Sequence, residues 1–198
     1  MTISTEKGEL STETGLPAET RDASGKGPTV FLDLDTVMLA VHRGRRGYEL
    51  GIQPDLIDGI DRLSEITDHI VALAYPRESE PGRRLSEETR IAALRAGLGA
   101  SADGLLIVGC DHHGDPCDCA KPGSGLIDEA TQKYELPKRG GWFIGADQEG
   151  VVSARVAGLH TIRIGPLGAD HLSSVHRPDY EARDLLDAAN HILLAELA

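Results

Sequence analysis

Every cysteine of the chain falls in one short segment, Cys110-Asp-His112-His113-Gly-Asp-Pro-Cys117-Asp-Cys119. Three soft sulfurs and one imidazole at this spacing suit a tetrahedral zinc ion. Gly114 and Pro116 fit a chain that must double back to bring the four side chains together. The spacing favours His112 as the nitrogen ligand, with His113 as its substitute. Four protein ligands fill the coordination sphere and leave no open position for a substrate, so a zinc held here would be structural. An odd, bunched set of cysteines does not make a disulfide framework. The plain alternative is a loop with free thiols.

A second cluster, Phe31-Leu-Asp33-Leu-Asp35-Thr-Val37, sets two carboxylates at the end of an apolar run. An aspartate in that place can attack phosphorus when a divalent cation screens its charge. A second one nearby can protonate the leaving oxygen and later take a proton from water. Read alone, the pair fits solvated turn residues equally well. Cys119-Ala-Lys121-Pro122-Gly-Ser-Gly follows the cysteine loop directly. An ammonium there could neutralise a transferring phosphoryl group, whereas an isolated lysine would be read as surface.

These groups need a scaffold that gathers them. Thr29 to Leu32 reads as a buried strand. Leu56, Ile57, Ile60, Leu63 and Ile66 recur at helical spacing, and Ile70 to Ala74 is a second apolar strand. Ser86 caps a helix that runs to about Gly97. A strand at Gly104–Val108, a helix from Ser124 to about Tyr134 and a strand at Gly141–Gly145 follow. A helix from about Gly150 to Val156 stops at Gly158, a left-handed cap. Thr161–Ile164 is the fifth strand, and Asp179–Leu197 reads as one amphipathic C-terminal helix. Short apolar strands alternating with helices predict a Rossmann-like α/β fold, a parallel sheet with helices on both faces. Ligands of such sheets bind beyond the carboxyl ends of the strands, where both the aspartate pair and the cysteine loop fall. Residues 1–27 hold few large apolar side chains and predict a disordered tail. Residues 28–198 then form one domain.

Acidic residues outnumber basic ones 32 to 20, a net charge of -12. That field disfavours nucleic acid and anionic membranes as partners. No apolar run approaches the ~20 residues of a membrane-spanning helix. The first residues show no basic segment followed by an apolar stretch, so a cytoplasmic location is the expectation.

Taken together the motifs resemble the haloacid dehalogenase (HAD) superfamily. The nearest resemblance is to its zinc-loop branch, the histidinol-phosphate and heptose bisphosphate phosphatases. That branch has an h-h-D-x-D strand end and a C-x-H…C-x-C-[RK]-K-P loop, found here as Phe31-Leu-Asp33-Leu-Asp35 and Cys110…Cys119-Ala120-Lys121-Pro122. A glycine-ended strand and an A-x-x-A-G helix end follow as Trp142-Phe-Ile-Gly145 and Ala154-Arg-Val-Ala157-Gly158. The resemblance implies a HAD-like domain over residues 28–198 with its zinc loop at 110–119. It also implies Asp33 as nucleophile, Asp35 as general acid and base, and Lys121 steadying the phosphoryl group. Magnesium would be held by Asp33, by the backbone carbonyl of Asp35 and by an acidic residue of the late loop. A short insertion between the second and third strands predicts no large cap domain.

The chain departs from the family pattern in two of its motifs. Ala74 or Tyr75 stands where the second strand normally ends in Thr or Ser. In the late loop Ala146 and Gly150 occupy the acidic positions, and Asp147 and Glu149 lie one residue out of register. Asp147 is the residue that a small loop shift could bring to the metal. Two functions follow. One is a magnesium-dependent phosphatase acting on a small phosphorylated metabolite through an aspartyl-phosphate. The other is a catalytically impaired HAD-like protein that binds a ligand or a protein partner.

Overall fold

The computed structural model describes residues 26–44, 47–76, 86–110, 112, 117–165, 174 and 177–198. Residues 1–25 of the tail expected over 1–27, and His113, lie outside these residues. Strand β1 (Val30–Asp33) is buried along its whole length and lies between β4 (Ile70–Ala74) and β6 (Trp142–Gly145), parallel to both. β5 (Leu105–Gly109) pairs with β4, and β7 (His160–Ile164) and β8 (Tyr180–Ala182) extend the sheet beyond β6. The strand order is β5-β4-β1-β6-β7-β8, every pairing parallel.

Alternation along the strands divides the apolar side chains between two cores. Val30, Leu32, Ala72, Trp142 and Ile144 face one side, where α1 (Leu56–Ile66), α2 (Glu87–Leu98) and α5 (Leu185–Glu196) cover them. Phe31, Val71, Leu73 and Phe143 face the other, under α3 (Gly125–Lys133) and α4 (Gln148–Ala157). The sheet thus has the α/β architecture the alternating pattern predicts.

Capping sets the helix boundaries. The Ser86 side chain accepts from the Thr89 amide at 3.3 Å, as expected for α2. Asp147 caps α4, accepting from the Gly150 amide at 2.6 Å, and Gly158 ends that helix at φ 80°. Only a residue tolerant of the left-handed region ends a helix this way without strain.

The structure differs from the sequence reading in three places. The segment read as one helix from Asp179 to Leu197 is the edge strand β8 followed by α5. The Asp179 carboxylate accepts from the Thr161 amide and hydroxyl, both at 2.8 Å, which pins the chain beside β7 as it extends. Asp184 then caps the helix, accepting from the Asp187 amide at 2.8 Å. An antiparallel hairpin, β2 (Leu39–Gly44) with β3 (Gly47–Ile52), occupies a stretch for which the sequence pattern predicts no element. Only Arg45 and Arg46 separate its strands, leaving no room there for an inserted cap. Lys26 and Gly27, read as part of the tail, lie against the loop after α1. The Lys26 amide donates to Asp68 Oδ2 at 2.9 Å, and the Asp68 amide returns a bond to the Lys26 carbonyl at 3.0 Å.

Candidate active site and metal cluster

Asp33 ends β1 and its side chain is fully buried. The chain leaves the strand in a single π-helical turn, Leu34–Met38, which Asp33 itself caps. Its Oδ1 accepts from the amides of Asp35 at 3.0 Å and Thr36 at 3.2 Å. Its Oδ2 accepts from the Lys121 ammonium. The same ammonium donates to Asp147 Oδ2 at 2.6 Å. Two carboxylates from different strand ends thus meet on one cation. Burial pushes the Asp33 carboxyl above the usual carboxylate range, with Lys121 pulling against it. Burial works against the charged form of Lys121, but Asp33 and Asp147 outweigh it and hold the ammonium above its ordinary value.

The β6–α4 loop is docked from below as well as through Lys121. The Ala146 amide donates to Thr36 Oγ1 at 3.1 Å, tying the loop to the π-turn. Asp147 therefore reaches the site although it lies outside the family register. Its Oδ1 caps α4 while its Oδ2 faces Lys121. Glu149 is an exposed residue in the first turn of α4. At the end of β4 no hydroxyl takes the place of the family's Thr or Ser. Ala74 is buried, and the ring of Tyr75 lies 4.7 Å from the Lys121 ammonium, a cation–π contact. Burial keeps the Tyr75 phenol neutral, far above its ordinary range, and the Asp33 and Asp147 charges add to this.

Asp35 has a cation of its own. Its Oδ2 pairs with Arg90 of α2, and both side chains are buried. Sequence reasoning missed Arg90. The available signal was its position on the buried stripe Arg90, Leu94, Leu98, a charged residue at apolar spacing.

Beyond β5 the side chains of Cys110, His112, Cys117 and Cys119 converge, with ligand atoms all within 4.8 Å of one another. His112 Nδ1 lies 3.5 Å from Cys110 Sγ and 3.6 Å from Cys119 Sγ. The four side chains sequence spacing grouped are thus gathered by the fold, and they could hold a metal ion. Burial pushes the Cys119 and Cys110 thiols up. The Cys119 amide and the Cys110 side chain lower that of Cys117. Metal ligation requires thiolates, so the ion would have to displace protons. Glu129 of α3, also missed, stands beside the cluster, with Oε2 3.5 Å from Cys119 Sγ. The carboxylates of Asp33 and Asp147 that meet at the Lys121 ammonium are hard oxygen donors, the type that magnesium takes.

No protein-family model and no curated protein sequence matches the chain. Solved structures do. A D,D-heptose 1,7-bisphosphate phosphatase from B. bronchiseptica, complexed with magnesium and phosphate, superimposes with a TM-score of 0.57 at 18% identity, covering 85% of this chain and 99% of that one. An uncharacterized protein from Listeria monocytogenes serotype 4b gives 0.61 at 17% identity, covering 86% and 99%. A haloacid dehalogenase-like family hydrolase from Streptococcus pneumoniae gives 0.51 at 19%, covering 75% and 61%. Sheet order, strand-end aspartate and structural neighbours agree, and the fold of this chain is that of the haloacid dehalogenase superfamily.

Proposed function

We propose that the protein is a magnesium-dependent phosphatase of the HAD type, acting on a small phosphorylated metabolite through an aspartyl-phosphate. The observation that carries this reading is the Lys121 ammonium bonded to both Asp33 and Asp147 at the carboxyl end of β1. The phosphatase neighbour holding magnesium and phosphate supports it.

Asp33 is the nucleophile in this reading. Its carboxylate forms a bond to phosphorus while the bond to the leaving oxygen breaks, and Asp35 supplies the proton that the leaving oxygen takes up. Water then attacks phosphorus, Asp35 takes its proton, and Asp33 is regenerated. Lys121 neutralises charge on the phosphoryl oxygens. Magnesium, held by Asp33, the Asp35 carbonyl and Asp147, would screen the phosphate charge from the nucleophile. Zinc bound by Cys110, His112, Cys117 and Cys119 would hold the loop that carries Lys121. The net charge of -12 disfavours nucleic acid as a partner, and among the described residues no helix is long and apolar enough to cross a membrane.

A second reading rests on the two motifs that depart from the family pattern, the missing Thr or Ser after β4 and Ala146 and Gly150 at the acidic positions of the late loop. It describes a HAD-like protein that binds a ligand or a protein without turnover. Hydrolysis of a panel of sugar, amino-alcohol and aryl phosphates with magnesium separates the two. The phosphatase reading expects turnover that Asp33→Asn abolishes with the fold intact. No turnover on any substrate, with no magnesium binding that depends on Asp33, favours the binding protein.

A further inference from the structure

Arg90 is a buried cation on a helix that otherwise turns leucines inward. Burying a guanidinium is unfavourable unless its donors are met, and a buried ion pair as a whole is often replaceable by apolar side chains at no loss of stability. Its contacts are specific. Nη1 engages Asp35 Oδ2, and Nη2 donates to the Tyr75 carbonyl at 3.2 Å. The Arg90 Nε–H has no hydrogen-bond partner among the described residues. The guanidinium therefore links the π-turn after β1 to the chain just past β4, the neighbouring strand. Side-chain exposures of 7% for Arg90 and 6% for Asp35 leave little room for either to swing. One rigid plane thus holds the Asp35 carboxylate on Nη1 and the Tyr75 carbonyl on Nη2, a pair of fixed directions that an ammonium does not supply.

We infer that Arg90 is the positioning residue of Asp35, orienting that carboxyl group for proton exchange with the leaving oxygen and the attacking water. The inference rests on the phosphatase reading above. It adds a helix residue, far from Asp35 in sequence, to the machinery that reading requires. In this role Arg90 touches no reacting atom and acts through Asp35.

Two consequences separate positioning from simple bracing. The proton from Asp35 matters most when the leaving oxygen is a poor leaving group, so the loss must depend on the substrate. Arg90→Met should lower kcat about 10²-fold on phenyl phosphate and about threefold or less on p-nitrophenyl phosphate, with KM nearly unchanged. Arg90→Lys, which keeps the charge and loses the fork, should recover only part of the phenyl phosphate rate. The other consequence is non-additivity. With Asp35→Asn already in place, adding Arg90→Met should change kcat less than about twofold. This double variant removes both charges together and so avoids stranding a buried carboxylate if Arg90→Met alone fails to fold.

The test is steady-state kinetics of the wild type, Asp35→Asn, Arg90→Met, Arg90→Lys and the double variant on both aryl phosphates with magnesium. Equal losses on the two substrates, or additive losses in the double variant, would overturn the role of Arg90 and leave the phosphatase reading standing. No turnover by the wild type would overturn the phosphatase reading itself, and the role of Arg90 with it.

Discussion

The thiol of Cys119 and the ammonium of Lys121 are delivered by one tight turn. Cys119 is buried beside the metal-type cluster, and Lys121, next but one in the chain, reaches Asp33 and Asp147. The Gly123 amide donates to the Ala120 carbonyl and the Gly125 amide to the Asp118 carbonyl, both at 2.9 Å. Cluster and candidate active site are thus mechanically linked through a few residues.

Removing the metal should therefore reach Asp33. A strong chelator should strip about one zinc per chain, lower the thermal midpoint, and reduce turnover even after magnesium is restored. Elemental analysis before and after treatment, with a melt and an assay on the same samples, checks this. Freely titratable thiols and no zinc in the untreated protein would refute the zinc assignment.

The turn also explains a glycine. A Cβ added at Gly125 would stand 2.6 Å from the carbonyl carbon of Asp118, a backbone atom that cannot yield by rotating. Gly125→Ala should destabilise the protein by about 1–3 kcal/mol in a urea melt. It should lower zinc content as well, because Asp118 lies between two of the sulfur ligands.

Lys121→Met should leave Asp33 and Asp147 facing each other without their shared cation. Turnover should fall roughly 10²–10³-fold, the scale of losing a group that stabilises transition-state charge. Far-UV circular dichroism should be unchanged. Asp147→Ala should instead raise the magnesium concentration needed for half-maximal rate. A variant insensitive to magnesium would place the ion elsewhere.

His191 makes stability depend on pH. Its ring stacks on Tyr180 at 3.6 Å between centroids and meets Trp142 edge-on at 5.7 Å. Burial pulls its pKa below the ordinary value, with Asp187 working against it. The unfolded chain therefore takes up the proton first as pH falls. The contribution is complete above about 6.5 and is lost as pH drops from there toward the folded value. Denaturant melts between pH 7.5 and 5 should show that decline, and His191→Phe should flatten it. An NMR titration placing His191 above 6.5 would reverse the sign.

The chain before Lys26 should be dispensable for stability. Deleting residues 1–25 should leave the thermal midpoint unchanged. Deleting 1–27 should cost about 1–2 kcal/mol through the two Lys26–Asp68 hydrogen bonds, one to the Asp68 carboxylate and one from its amide. Equal midpoints for the two truncations would remove these bonds from the account of stability.

The sequence by itself determined what depends on neighbours along the chain. Ligand spacing grouped Cys110, His112, Cys117 and Cys119. The apolar run before Asp33 placed that carboxylate at a strand end, and the caps at Ser86 and Gly158 came from local backbone chemistry. The hairpin at Leu39–Ile52 escaped because its strands carry glycine and charged residues among few large apolar ones, which leaves little of the alternating signal. β8 escaped because a three-residue edge strand is made by its neighbour, through Asp179 and Thr161, rather than by its own composition.

Only the tertiary structure decided how the site is wired. Lys121 is 88 residues from Asp33, and Arg90 is 55 from Asp35. Such pairs are set by which strand ends and helix faces the packed sheet brings side by side, and no periodicity records that. Asp147 shows the difference most clearly. Its sequence register placed it outside the family pattern, and the Thr36 hydroxyl, holding the Ala146 amide, brings its loop to Lys121. A shift of one residue along a chain is within reach of a loop's backbone, so the contact is fixed by docking in space rather than by spacing.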